Sequence, residues 1–201
     1  MLSVRSLSCV RGENRLFTNV NFSVNAGQWL HVRGQNGVGK TSLLRILVGL
    51  TAPAAGEILW NEQSISANRH EFNQNLLYQG HYACTKDELT ALENIKFSTR
   101  LDGVALDHTS AQKILHRLGL QGREDLPVRY LSAGQKRRVG MARLLARPAK
   151  LWVLDEPLTA LDTVAIEILT GLLSEHVAGG GIVVLTSHQS VPLAAGRVLD
   201  L

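Results

Sequence analysis

The run Gly34-Gln35-Asn36-Gly37-Val38-Gly39-Lys40-Thr41 constrains this chain more than any other segment. It fits GxxxxGK[ST], follows the strand-like stretch Trp29–Arg33 and leads into apolar residues at Leu43, Leu44, Ile46 and Leu47. That strand–loop–helix context is what gives the pattern meaning. Glycines let the backbone turn with its N–H groups aimed inward, where side chains would block a ligand. A helix opening near Lys40 adds the positive end of its dipole to the same spot. Such a loop cradles phosphates. Residues Gly34 to Ser42 are therefore expected to bind a nucleoside triphosphate, with Lys40 on the β- and γ-phosphates and the Thr41 hydroxyl on Mg²⁺.

A second feature complements the first. Leu151-Trp152-Val153-Leu154 is apolar and ends in Asp155-Glu156, and two acids at the end of a buried strand are costly unless a cation meets them. Adjacent residues point in different directions, so Asp155 is expected at the metal, through water, and Glu156 at the γ-phosphate, orienting the attacking water.

The runs Leu151–Leu154 and Ile182–Thr186 are short and almost continuously apolar, as strands are when helices cover both faces of a parallel sheet. An α/β layered fold follows. Leu2–Val10 and Leu16–Val24 read as strands of a small β region closed by a turn at Asn25-Ala26-Gly27. From about 85 to 147 the pattern turns helical, with apolar residues at helical spacing in Thr90–Leu101 and Ser110–Leu118. Gly179-Gly180-Gly181 reads as a helix-to-strand turn. Ser132 and Gln135 have the spacing of a capping box, and Gly134 beside them would let a phosphate approach the open N–H groups of that helix start.

Composition narrows the possibilities. With 45% hydrophobic and 19% charged residues in 201, the chain can bury a core and is neither a disordered tail nor two independent modules. No window approaches 18 uninterrupted apolar residues, and the N-terminus lacks the apolar core of a signal peptide; the expectation is a chain that neither crosses a membrane nor is exported. Cys9 and Cys84 have no paired spacing, which excludes a metal knuckle or redox CxxC and suits a reducing compartment. A net charge of +4 is compatible with nucleic acid, anionic lipid or phosphate. Its densest patch, Lys136-Arg137-Arg138 with Arg143 and Arg147, reads as a solvated helix face.

Leu131-Ser132-Ala133-Gly134-Gln135 resembles the LSGGQ signature of ATP-binding cassette (ABC) ATPases. Thr159-Ala160-Leu161-Asp162 resembles their D-loop, and Ser187-His188 their switch-histidine loop. The order of these motifs extends the resemblance over nearly the whole chain. It implies one cassette over residues 1–201: a RecA-like parallel core, an N-terminal antiparallel β subdomain and an inserted helical subdomain at about 85–147. It also implies that His188 contacts the γ-phosphate. Two copies would pair head to tail, Ser132 and Gly134 of one completing the ATP site at Lys40 of the other, with Asp162 contributing through the D-loop. Two positions depart from the family pattern. The Q-loop glutamine falls on His81, with Gln79 two positions upstream, and the adenine-stacking aromatic is replaced by Arg11, whose guanidinium plane can still stack on a base.

Residues 75–81, the stretch LTALENIKF and the helix LSAGQKRRV resemble the ATPase subunits of bacterial cytochrome c maturation transporters. This implies a peripheral position on the cytoplasmic face of the inner membrane, a homodimer bound to integral membrane subunits, and ATP hydrolysis linked to haem delivery to a periplasmic chaperone. Neither Cys precedes a Pro and no paired His ligands are evident, so no haem site is expected. The alternatives are a subunit of another small-molecule or lipid exporter, a soluble ABC ATPase acting on nucleic acid or ribosomes, and a GTPase or small nucleotide kinase, the last leaving LSAGQ unexplained and lacking an NKxD element. The first reading carries no nucleic-acid partner.

Overall fold

The computed structural model describes residues 1–80, 85–191, 193 and 196–201. The chain divides into two units, one of Met1–His81, Ala149–Pro157 and Leu173–Leu201, the other of Tyr82–Pro148 and Leu158–Leu172.

In the first unit, β1 (Leu2–Arg11) and β2 (Asn14–Val24) form an antiparallel hairpin, and β4 (Ala55–Trp60) and β5 (Gln63–Ser64) extend it to the order β2-β1-β4-β5. A second, wholly parallel sheet runs β6-β7-β8-β3-β9, from β6 (Leu76–Gln79), β7 (Leu151–Leu154), β8 (Ile182–Thr186), β3 (Trp29–Arg33) and β9 (Arg197–Asp200). Every residue of β7 and β8 is buried, which is why those strands read as unbroken apolar runs. Helix α1 (Lys40–Leu47) buries Leu43, Leu44, Ile46 and Leu47, and these join Val4 and Leu7 of β1, Ile58 of β4 and Val153 and Val184 of the parallel sheet in one core. Phe72, on the short helix α2 (Arg69–Asn75), meets Trp60 edge-on at 6.1 Å. Cys9 is a buried residue of β1 whose thiol is pushed up by burial, against the opposing pull of Arg11.

Several of these elements had no clear periodic signal. β4 contains Gly56 at φ +90°, where a Cβ would fall 2.5 Å from the carbonyl oxygens of Arg5 and Ser6; only glycine permits that close approach, and glycine weakens a strand pattern. β6 buries only its first two residues fully, and β9 is a mostly exposed edge.

The second unit contains α3 (Ala91–Leu101), α4 (His108–Arg117), a 3₁₀ turn (Val128–Tyr130) and α5 (Ala133–Ala146). It also takes in Leu158–Leu172, beyond the expected insertion, including the start of α6 (Thr163–Ala178). α3 opens with a capping box: Glu93 N–H donates to Thr90 Oγ1 at 3.1 Å and Thr90 N–H to Glu93 Oε2 at 2.9 Å. Buried Asn94 ties the preceding loop to the helix, accepting from Lys86 N–H and donating to the carbonyls of Lys86, Leu89 and Thr90.

The basic patch is not the solvated face expected from sequence. Arg143 grips Asp102 with two bonds at 2.9 and 3.0 Å, Arg147 adds a third at 3.1 Å, and Asp102 is the C-cap of α3. Arg138 donates to the carbonyls of Leu118 and Gly119 beyond the end of α4, and Lys136 pairs with Asp87. Arg138, Arg143 and Arg147 thus close the ends of α4 and α3 within the unit, where partial negative charge collects.

Among the described residues no helix is long and apolar enough to cross a membrane.

Candidate active site

The site grows from the loop between β3 and α1. Gly34 and Gly39 take φ values of +151° and +113°. A Cβ on Gly34 would meet Val38 Cγ1 at 2.8 Å, and one on Gly39 would meet Leu16 and Phe17 at 3.1 Å, so both positions require glycine for conformation and for space. Gly39 is the N-cap of α1 and supplies no side-chain cap, leaving first-turn N–H groups for a ligand. Lys40 is 8% exposed, and its ammonium donates to the carbonyls of Gly34 at 2.8 Å and Gln35 at 3.1 Å. Those two bonds offset the cost of burying the charge and hold it at the centre of the loop. Val38 N–H closes the turn on Gln35 O at 3.4 Å.

The acids arrive from the end of β7. Asp155 continues the ladder with its N–H on Gln79 O at 2.9 Å. The carboxylate is 3% exposed; Oδ1 accepts from the Thr186 hydroxyl at 2.8 Å, and Oδ2 has no hydrogen-bond partner among the described residues. Glu156 sits at φ +51°, unusual for a residue with a Cβ, and its N–H donates to Thr186 Oγ1 at 2.9 Å. Its Oε2 accepts the backbone N–H of His188 at 3.2 Å, and its Oε1 lies 3.4 Å from His188 Nε2. The His188 side chain is half exposed.

Ten of the residues singled out from sequence line one cleft of about 330 Å³: Arg11, Asn36, Gly37, Gly39, Lys40, Thr41, Ser42, Asp155, Glu156 and His188. Leu16 completes the lining. Gly34, Gln35 and Val38 form the loop beneath Lys40. His81 lies outside the described residues. Ser132, Gly134 and Asp162 belong to the second unit. There the Ser132–Gln135 capping box is present, at 2.9 and 3.2 Å. Asp162 Oδ1 accepts the N–H of Ala165 at 2.7 Å, and Asp162 Oδ2 stands 2.6 Å from where a Cβ on Gly134 would be. The open side of Gly134 is thus faced by a carboxylate of the same chain.

Sequence reading missed Thr186. The one signal for it is a polar residue at the end of an otherwise apolar run.

The donors present suit a magnesium ion bound with a nucleotide. Asp155 Oδ2 is a buried carboxylate oxygen without a partner among the described residues, and Thr41 supplies a hydroxyl in the same cleft. Mg²⁺ takes one or two protein oxygens and completes its shell with phosphate and water.

A parallel sheet, a glycine loop cradling a lysine before a helix, and two acids at the end of β7, separated from β3 by β8, define a P-loop ATPase of the ATP-binding cassette class. Known proteins agree. Residues 17–159 match the ABC transporter family. A cytochrome c biogenesis ATP-binding export protein CcmA of Nitrosomonas europaea is 50% identical over 201 residues, covering 100% of this chain and 94% of the relative. One of the same description from Haemophilus influenzae is 48% identical over 200 residues, covering 100% and 94%. Among solved structures, a putative ABC transporter ATP-binding protein from Pyrococcus furiosus shares the fold with a TM-score of 0.86 at 23% identity, covering 100% of this chain and 96% of that one. A dimeric ATP-binding cassette bound to ADP and Pi follows with a TM-score of 0.76 at 24% identity, covering 94% and 88%. The chain belongs to the ABC transporter family and, within it, to the cytochrome c biogenesis ATP-binding export proteins.

Proposed function

We propose that this chain is the ATP-hydrolysing motor of a membrane complex serving cytochrome c maturation, in which its work drives delivery of haem to a periplasmic chaperone. The observation that carries the reading is the convergence of Lys40, Asp155, Glu156 and His188 on one cleft, in a chain half identical to an export subunit along its full length.

On this reading Lys40 exchanges the carbonyls of Gly34 and Gln35 for the β- and γ-phosphate oxygens of ATP, and residues 34–42 wrap those phosphates with backbone N–H groups. Thr41 and Asp155 hold Mg²⁺, which when bound neutralises charge developing on the phosphates. The Glu156 carboxylate accepts a hydrogen bond from the attacking water and draws off its proton as the water adds to the γ-phosphorus and the bond to the bridging oxygen of the β-phosphate breaks, releasing ADP and phosphate. His188, held against Glu156 by its backbone N–H, presents its half-exposed ring to the γ-phosphate. Arg11 at the cleft edge stacks on the base. His81, or Gln79 beside it, takes the Q-loop role.

The whole of 1–201 acts as one cassette with its helical subdomain inserted. Two copies pair head to tail, so that Ser132, Gly134 and Asp162 of one close over the nucleotide of the other. The pair sits on the cytoplasmic face of the inner membrane, attached through integral membrane subunits.

Substitution separates the roles. Lys40→Ala should abolish ATP binding. Glu156→Gln should bind ATP and accumulate the closed dimer while hydrolysis falls by about 10²–10⁴-fold, the usual range for loss of a general base. Glu156→Gln turning over at the wild-type rate in the assembled complex would refute the catalytic assignment. Normal c-type cytochromes in cells lacking the gene would refute the haem pathway and favour another exporter.

A further inference from the structure

Thr186, the last residue of β8, is fully buried, and its hydroxyl joins the two acids that end β7. The register brings it there: Leu154 pairs with Leu185 in the parallel ladder, so the next residues, Asp155 and Thr186, fall side by side where the strands end. The hydroxyl oxygen accepts the Glu156 N–H at 2.9 Å while its hydrogen goes to Asp155 Oδ1 at 2.8 Å. A hydroxyl has one hydrogen and two lone pairs, so both bonds form at once and their directions are fixed.

Two consequences bear on the chemistry. The Asp155 oxygens become inequivalent: Oδ1 is committed to β8, whereas Oδ2 has no partner among the described residues. Glu156, whose backbone is in the left-handed region, has its buried N–H satisfied in that conformation, and this is the conformation that brings its carboxylate against His188. The other residues of β8 are apolar and equally buried. Packing alone would accept Val at 186, since Val has the same shape; the hydroxyl is explained by the two bonds it makes.

We propose that Thr186 is a positioning residue for ATP hydrolysis: its hydroxyl turns Asp155 so that Oδ2 alone is offered to the metal, and pins the backbone turn that carries the Glu156 carboxylate. This rests on the roles given above to Asp155 and Glu156.

The test uses the full chain in its assembled complex for hydrolysis. The isolated full chain is used for binding of Mn²⁺ with ADP, read by electron paramagnetic resonance, and for thermal unfolding without nucleotide. Thr186→Val removes the hydroxyl and keeps the shape. Loss of hydrogen bonds to a carboxylate and a buried amide should lower kcat by about ten- to a hundredfold. KM for ATP should move by less than about threefold, because the phosphate loop is untouched, and Mn²⁺ should bind several-fold more weakly. Thr186→Ser keeps the hydroxyl and should recover most of both losses. A role confined to stability would lower the unfolding temperature without weakening Mn²⁺ binding and without separating kcat from KM, and that result would overturn the proposal. So would Thr186→Val with kcat and Mn²⁺ affinity both within about threefold of wild type, or Thr186→Ser as slow as Thr186→Val. If Thr186→Val does not fold, Thr186→Ala is read by the same measurements, and the Thr186→Ser criterion stands by itself. Glu156→Gln, measured alongside, separates the levels. Its inactivity with a wild-type Thr186→Val sinks this inference alone, and its full activity sinks the site assignment with it.

Discussion

Adding one methyl group at Gly134 should reveal how the signature helix and the D-loop hold each other within the chain. The new Cβ would lie 2.6 Å from Asp162 Oδ2 and 3.2 Å from its Cγ, so the carboxylate must retreat by about 0.8 Å to restore ordinary contact. Asp162 is short and already engaged, its Oδ1 accepting the Ala165 N–H at 2.7 Å at the start of α6. Moving it sacrifices that cap, a loss of about 0.5–2 kcal/mol. Against this, Ala in place of Gly in a helix gains at most about 1 kcal/mol, and less in the first turn, where Gly134 stands. The net expectation for Gly134→Ala is a destabilisation of about 0.5–1.5 kcal/mol. In an Asp162→Ala background the obstruction is gone and the cap already lost, so the same methyl should be neutral or stabilise by up to about 1 kcal/mol. The coupling between the two sites is therefore about 1–2 kcal/mol, read from urea unfolding of the wild type, both single variants and the double variant. Additivity to within about 0.3 kcal/mol would refute the contact.

Three further outcomes follow from other parts of the molecule. The His176 ring stacks on Trp152 at 3.8 Å, and burial holds its pKa below the ordinary 6.5. Between the folded value and 6.5 the unfolded chain binds more protons, so stability is full above pH 6.5 and declines as pH falls through that window. His176→Phe should flatten the difference in unfolding temperature between about pH 7.5 and about pH 5.5, and an unchanged slope would count against this. Asn94→Ala leaves the Lys86 N–H without its partner and takes one of two donors from each of three carbonyls at the α3 entry, and should cost about 1–3 kcal/mol in denaturant unfolding. Arg11→Ala should weaken binding of all nucleotides by about two- to thirtyfold, the range of a cation–π contact. Arg11→Tyr should sharpen preference for purines in competition titrations, and an Arg11→Ala protein with wild-type affinities would remove Arg11 from the base site.

Much of the fold was legible because it is written in short range. β3, β7 and β8 are bounded by glycine, acids and turn residues, and each has the expected limits. The box joining Ser132 to Gln135 depends on a spacing of three residues and was equally plain. β4, β6 and β9 do not stand out, since a glycine in β4, only two fully buried residues in β6 and the exposed edge at β9 dilute their patterns. The basic cluster of α5 misled for a different reason: charge on a helix says nothing about whether a carboxylate such as Asp102 or a helix end lies opposite.

The sequence by itself determined the phosphate loop, the acids at the end of β7, the histidine after β8 and the family to which they belong, because each depends on residues adjacent in the chain. Only the tertiary structure decided which oxygen of Asp155 is left for a metal, what faces Gly134, and that Thr186 takes part. Those contacts join residues some thirty positions apart. They are set by the register of β7 against β8 and by the fold that brings the D-loop to the signature helix, and side-chain spacing along one strand or helix does not encode them.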